Sequence, residues 1–96
     1  MSGQRFIALL DVLQQVAEVA VAHAQRTQLM NEANTLYRAA IEGRDDRAAF
    51  LLALDERVEA LSPALRQRLL TTVHVVLRDQ IAFSGTCLDI LERRNR

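Results

Sequence analysis

Apolar residues along the first forty positions recur at alternating steps of three and four, the spacing of one face of an α-helix. This face is made of Phe6, Leu9, Leu13, Val16, Ala20, Met30, Tyr37 and Ile41. Because no proline or glycine interrupts the chain from Gln4 to Glu42, the pattern predicts one long helix over residues 4–42. The same register places His23, Thr27 and Asn34 on the face, so its middle is polar.

Turn signals divide the remaining chain into two further helices. Gly43 is suited to ending the first helix, and Asp45 or Asp46 to capping the next, which predicts a second helix over residues 46–61. Ser62-Pro63 then supplies an N-cap followed by proline at the first helical position. The third helix is predicted over residues 63–93 with two adjacent apolar stripes. Gly85 inside it predicts either the close approach of another backbone or a kink.

These elements predict an all-α, single-domain chain over residues 1–96, arranged as a long-short-long antiparallel bundle. Half of the residues are hydrophobic and only 4% are aromatic, a composition typical of helices. A helix over residues 4–42 would be about 57 Å long, whereas a compact chain of this length has a radius of gyration of about 13 Å. One copy would therefore leave apolar surface uncovered, over residues 6–24 and 81–91.

We expect a homodimer to cover this surface, because a two-fold pair buries the same patches on both chains. The predicted dimer or partner-binding residues are Phe6, Leu9, Leu13, Val16, Leu77, Ile81, Phe83, Leu88 and Leu91. The polar residues His23, Thr27 and Asn34 would then set the register, as a buried asparagine does in a coiled coil. The alternative is a break in the first helix between Gln25 and Asn34, which would give a four-helix monomer.

Charge and cysteine content narrow the range of partners. Twelve arginines balance twelve acidic residues and there is no lysine, so the chain lacks the positive surplus that binding to nucleic acid or anionic membranes requires. Arginine without lysine suggests a GC-rich bacterial genome. The low-charge stretch from Val12 to Gln25 is too short to span a bilayer. With a single cysteine, Cys87, and no secretory leader, we expect a cytoplasmic protein.

Groups that could carry chemistry are few and scattered. His23 and His74 lie on apolar stripes, and we expect both to be packed in the interior rather than to bind a metal. Cys87 has apolar neighbours and is expected in the core. The carboxylates of Asp45, Asp46 and the 55–59 segment fit a helix cap and an outward face. With no phosphate loop and no CxxC pair, the sequence predicts no enzyme, no catalytic residues, no metal and no cofactor.

One stretch resembles a known family. The run from Ile41 to Leu91 is similar to flagellar and related type III export chaperones, in which a short helix after a turn carries a pattern matched here by Leu51, Leu54, Asp55, Arg57 and Leu61. The aromatic residue that such families often place after the turn is absent, since Arg47 and Ala48 stand there. The resemblance implies a cytoplasmic chaperone or adaptor that lends an apolar groove to a partner's amphipathic helix.

Three functional hypotheses follow from the sequence. The first is a non-enzymatic protein-binding chain that presents an apolar groove to an amphipathic helix, with Leu77, Ile81, Phe83, Leu88 and Leu91 as the groove. The second is a purely structural or regulatory homodimer, such as a small phage- or plasmid-encoded factor. The third is a metal-binding sensor or enzyme built from His23, His74 and acidic groups across a dimer interface.

Overall fold

The computed structural model describes residues 3–18 and 23–93, apart from the side chains of His23 and Arg93. Within these ranges the backbone is helical and contains no strand, which confirms the all-α class. The helices are α1 (Gln4–Glu18), α2 (His23–Glu42), α3 (Arg47–Arg57), α4 (Pro63–Val76) and α5 (Ile81–Arg93), with a 3-10 turn at Val58–Ala60 after α3.

The predicted single helix over residues 4–42 is wrong. α1 and α2 pack against each other, and the longest extent of the molecule is 33 Å, too short for a helix of about 57 Å. Arg5 at the start of α1 pairs with Asp45 just after α2, so the two helices run antiparallel. The alternative break between Gln25 and Asn34 is also wrong, because α2 is continuous there.

The predicted third helix is divided as well. α4 ends at Val76 and α5 begins at Ile81, with a turn closed by the Gln80 amide donating to the Leu77 carbonyl, 2.9 Å. Gly85 lies inside α5, and a Cβ added there would meet nothing within 4 Å. Within the described residues no other backbone approaches Gly85 closely, and α5 continues through this position without a break.

Helix caps follow the sequence closely. The Asp46 carboxylate accepts a hydrogen bond from the Ala48 amide, and the Ser62 hydroxyl accepts one from the Leu65 amide with Pro63 at the first turn. These bonds satisfy amide groups that a helix start leaves free. The predicted second helix over 46–61 is thus an α-helix that tightens into the 3-10 turn before Leu61.

The end of α2 forms a Schellman motif, in which the last carbonyls of a helix accept bonds from the residues beyond it. The Asp45 amide donates to the Ala40 carbonyl and the Arg44 amide to the Ile41 carbonyl. The left-handed residue is Arg44, with φ of 54°, one position later than the glycine that the sequence offers. Gly43 instead leaves room for the Arg5–Asp45 ion pair, because a Cβ there would force the Arg5 guanidinium to shift.

The three phenylalanines of the chain meet at the centre of the core. Phe6, Phe50 and Phe83 pack edge to face, with ring centroids 5.4 to 6.2 Å apart, a favoured arrangement of aromatic rings. They join α1, α3 and α5, which are far apart in sequence. α1 also contacts α2 and α4, so most of its broad apolar surface is covered within one chain.

Folding back of the first and third predicted helices removes the length mismatch on which the predicted dimer depended. The radius of gyration is 12.5 Å, about the value of a compact chain of this size. Neither the long-short-long bundle nor the four-helix monomer describes the result, because five α-helices are present in the described ranges. None of these helices combines the length and the apolar character needed to cross a bilayer.

Candidate functional site

Most of the residues predicted to bind a partner are buried inside the chain. Phe6, Leu9, Leu13, Val16, Leu77, Phe83 and Leu91 are all at most 6% exposed. The predicted groove therefore does not form an accessible surface in this conformation, because the turn after α4 directs its apolar residues into the same core as α1. Of the predicted set, Ile81 is exposed and Leu88 is half-buried.

Two of the three residues predicted to set the dimer register lie outside the core. Thr27 and Asn34 are exposed on α2, and the side chain of His23 lies outside the described part of the chain. A register-setting asparagine acts by being buried between helices. Within one chain that condition is not met for Thr27 or Asn34, so their role stays a prediction.

The outer face of α5 is the most exposed apolar feature of the described residues. Ile81, Gly85 and Leu88 follow one another at steps of four and three, so they share one side of the helix. Ile81 is 82% exposed, Gly85 faces open space and Leu88 is half-buried. We call this side the α5 stripe. It combines a projecting aliphatic side chain with a flat stretch of backbone one turn further on.

The orientation of α5 follows from the residues on its opposite side. Phe83 inserts into the aromatic cluster, and Cys87, Ile90 and Leu91 are buried behind it. These positions recur at helical spacing, so they lie on one side of α5, and in the structure that side faces the core. The α5 stripe, on the other side of the helix, therefore faces away from the core.

Two polar contacts hold the start of α5 in place. The Tyr37 hydroxyl on α2 donates to the Asp79 carboxylate in the turn before α5, 2.8 Å, and the Arg47 guanidinium lies 5.7 Å from the centre of the Phe83 ring. Burial, together with the bond to the Asp79 carboxylate, raises the pKa of Tyr37 well above its usual range. Tyr37 is thus a hydrogen-bond donor at any physiological pH.

Other large exposed apolar side chains are scattered over the described surface. Leu52 on α3 is 62% exposed, Val75 on α4 is 47% exposed and Ile7 on α1 is 37% exposed. Isolated apolar side chains are common on protein surfaces. The α5 stripe differs from them because its three positions share one side of a helix. Ile81 and Leu88 offer apolar side chains, and Gly85 between them leaves room for another backbone.

The cysteine and the described histidine side chain lie in different surroundings. Cys87 is fully buried, as the sequence predicted, and burial raises the pKa of its thiol to about 12, so it is not a thiolate at neutral pH. His74 is exposed, which corrects the expectation that it packs in the core; it lies on the solvent side of α4. In the described ranges no three His, Cys, Asp or Glu residues gather as metal ligands.

Two surface clefts are lined mainly by polar and charged side chains. The first, about 420 Å³, is lined by Asp11, Gln14, Gln15, Glu18 and Arg57. The Arg57 guanidinium donates to Asp11 at 2.6 Å, and the Gln14 amide donates to Glu18 at 3.0 Å. The Arg57 contact ties α3 to α1, and the Gln14 contact lies within α1, so both have a structural role in the fold.

The second cleft, about 410 Å³, lies at the α2–α3 turn and includes Arg44, Asp45, Asp46 and Arg47. Asp45 is the informative residue, because its side chain is only 7% exposed and its Oδ1 accepts from Arg5 at 3.0 Å. Its Oδ2 is buried and has no hydrogen-bond partner among the described residues. Because Oδ2 is closed off from solvent, a ligand in the cleft would not reach it without a rearrangement.

Comparison of the chain with protein family models, curated proteins and solved structures found no match. The resemblance to export chaperones therefore remains a prediction from the sequence. Sequence reasoning included Ile81 and Leu88 but grouped them with buried neighbours. It treated Gly85 as a kink or an existing contact, and only the space around its Cα identifies it as part of an open surface.

Proposed function

We propose that this chain is a non-enzymatic protein-binding module that presents the α5 stripe to a helix of another polypeptide. The observation that carries the proposal is the pairing of an 82% exposed Ile81 with Gly85, one turn away, facing open space. A helix laid across this side would bury the isoleucine and approach the α5 backbone closely, as small residues allow at helix contacts. The proposed binding surface is therefore the α5 stripe and not the predicted groove, because Phe83 and Leu91 of that groove are buried in the core.

The chemistry of the described residues supports binding rather than catalysis. The thiol of Cys87 is buried and protonated, and Asp11, Glu18 and Asp45, three of the carboxylates in the two polar clefts, already pair with an arginine or a glutamine side chain. Recognition of an amphipathic helix requires only an apolar anchor and a complementary surface. A cytoplasmic setting, favoured by the single cysteine, is part of this proposal.

The proposal is tested by placing a photoreactive amino acid at Ala82, which is exposed beside the stripe, and sequencing the crosslinked peptides. A matched probe at Glu56, exposed on α3, is the control. We expect crosslinks from position 82 into one segment with helical apolar spacing, and none into that segment from position 56.

The substitution Ile81→Asp should abolish these crosslinks, whereas Leu52→Asp should preserve them. Both replace an exposed aliphatic residue by a carboxylate, so neither is expected to unfold the chain, which circular dichroism checks. Crosslinks that survive Ile81→Asp, or that scatter over unrelated segments, would overturn the proposal.

A further inference from the structure

From the shape and charge of the α5 stripe, we infer that its partner is a second copy of this chain, bound as an antiparallel α5–α5 pair about a two-fold axis beside Gly85. This inference rests on the proposed function and names the partner of the same surface. Its geometry follows from the residues on either side of the glycine.

Ile81 and Leu88 lie almost equally far from a point between Ser84 and Gly85. In an antiparallel pair centred there, Ile81 of one chain faces the partner's Leu88, and the reverse contact forms on the other side of the axis. Such an arrangement is isologous, because one patch serves as both halves of the interface. The half-buried Leu88 gains cover, and the exposed Ile81 gains a neighbour.

Gly85 sits where the two helices would cross. A Cβ at this position would meet nothing within 4 Å in the single chain, so packing inside the chain does not require glycine here. Glycine in a helix interior costs about 1 kcal/mol relative to alanine. A second helix that crosses α5 at this point would explain why glycine stands here despite its cost, because the absence of a side chain lets the two backbones approach closely.

Charges at the two ends of the stripe are complementary under the same two-fold axis. Arg78, in the turn before α5, and Glu92, near its end, are both exposed and lie seven residues either side of Gly85 in the sequence. An antiparallel pairing brings each arginine toward the partner's glutamate. A parallel pairing would instead place like charges together, so the charge order selects the antiparallel arrangement.

The size of the contact sets its strength. One helix per chain is a smaller surface than the roughly 800 Å² that each partner contributes to a standard stable interface. We therefore expect a reversible dimer whose population rises with concentration. The core remains complete in each chain, so dissociation leaves a folded monomer.

The experiment is sedimentation equilibrium of the full chain over a concentration series from micromolar to millimolar. The substitution Gly85→Leu should weaken dimerisation by at least tenfold, because it fills the crossing point. It should not lower the melting temperature, since the added side chain enters open space and leucine favours helix. A weakened dimer with an unchanged fold is therefore attributable to the interface.

A charge exchange tests the orientation. Arg78→Glu and Glu92→Arg should each weaken the dimer severalfold, and the double variant should restore it, because the two-fold axis re-forms both pairs in reverse. Arg38→Glu, on the exposed side of α2, is the control and should change nothing. The expected losses shrink as salt is added.

Any one of three results would overturn the inference. The chain could stay monomeric at millimolar concentration, Gly85→Leu could leave dimerisation unchanged, or the double charge exchange could fail to restore the dimer. The two proposals fail separately. A monomeric chain that still crosslinks from Ala82 into a different protein overturns the self-pairing and leaves the binding module standing. Absence of both the dimer and the stripe-dependent crosslink overturns both.

Discussion

Arg44 carries a conformational cost that a single substitution should remove. Its φ of 54° places it in the left-handed region, which costs an L-residue about 1–2 kcal/mol. Two hydrogen bonds hold it there, one donated by the Arg44 amide to the Ile41 carbonyl and one by the Asp45 amide to the Ala40 carbonyl. In Arg44→Gly this penalty disappears, while the greater freedom of glycine in the unfolded chain offsets about 0.4–1 kcal/mol. We expect a net gain of roughly 0.5–1 kcal/mol in the free energy of unfolding.

The assay is urea and thermal unfolding followed by circular dichroism. For a domain of this size, each kcal/mol shifts the melting temperature by about 4–8 °C, so Arg44→Gly should raise it by roughly 2–8 °C. The matched control is Arg38→Gly, the same replacement on an exposed position inside α2. There glycine interrupts a regular helix and should lower stability by about 1 kcal/mol.

A companion variant separates the roles of the two neighbouring positions. Gly43→Ala should destabilise the chain by about 1–3 kcal/mol, because its Cβ displaces the Arg5 guanidinium from Asp45 and strands a buried carboxylate. If Arg44→Gly and Arg38→Gly lower stability equally, the left-handed end of α2 is not what the structure describes. If Gly43→Ala and Arg44→Ala left the free energy of unfolding equally unchanged, the different roles assigned to positions 43 and 44 would be refuted too.

Two further predictions concern the core. In wild type, the stability contributed by the Cys87 thiol is complete below its ordinary pKa of 9.0 and is lost as pH rises toward its folded-state pKa of about 12. Between pH 7.5 and pH 11, urea titrations should show that the free energy of unfolding falls by about 1–3 kcal/mol more in wild type than in Cys87→Ala. An equal fall in both proteins would count against a buried thiol. Phe83→Ala should cost about 3–5 kcal/mol, because it opens a cavity between Phe6 and Phe50, and a cost below 1 kcal/mol would be incompatible with the aromatic cluster.

Local chemistry was predictable where a few neighbouring residues decide the structure. Asp46 and Ser62 act as caps in the predicted places. Each side chain accepts a hydrogen bond from an amide two or three residues further on, so the cap depends only on neighbouring residues and not on the tertiary fold. The sequence has no proline or glycine to mark the end of α1 or the turn at Leu77–Gln80. They arise because burying both apolar sides of a helix against the same core outweighs its intrinsic propensity to continue.

The candidate surface was only partly predictable for the same reason. Helical periodicity identifies which positions share a side of α5, and it grouped Ile81 with Phe83 and Leu91 as apolar. It does not tell which side meets the core until the turn at Asp79 is placed. The open space at Gly85 is a property of what surrounds the helix, so no local pattern could reveal it.

The aromatic cluster has a consequence for how the chain is made. Its rings come from positions 6, 50 and 83, so the ribosome must pass residue 83 before the last ring becomes available. Contacts between such distant positions slow folding relative to a bundle built from neighbours. Nascent chains should therefore expose apolar surface through most of their synthesis. We expect resistance to proteases to appear in a single step, only after residue 83 has left the ribosome.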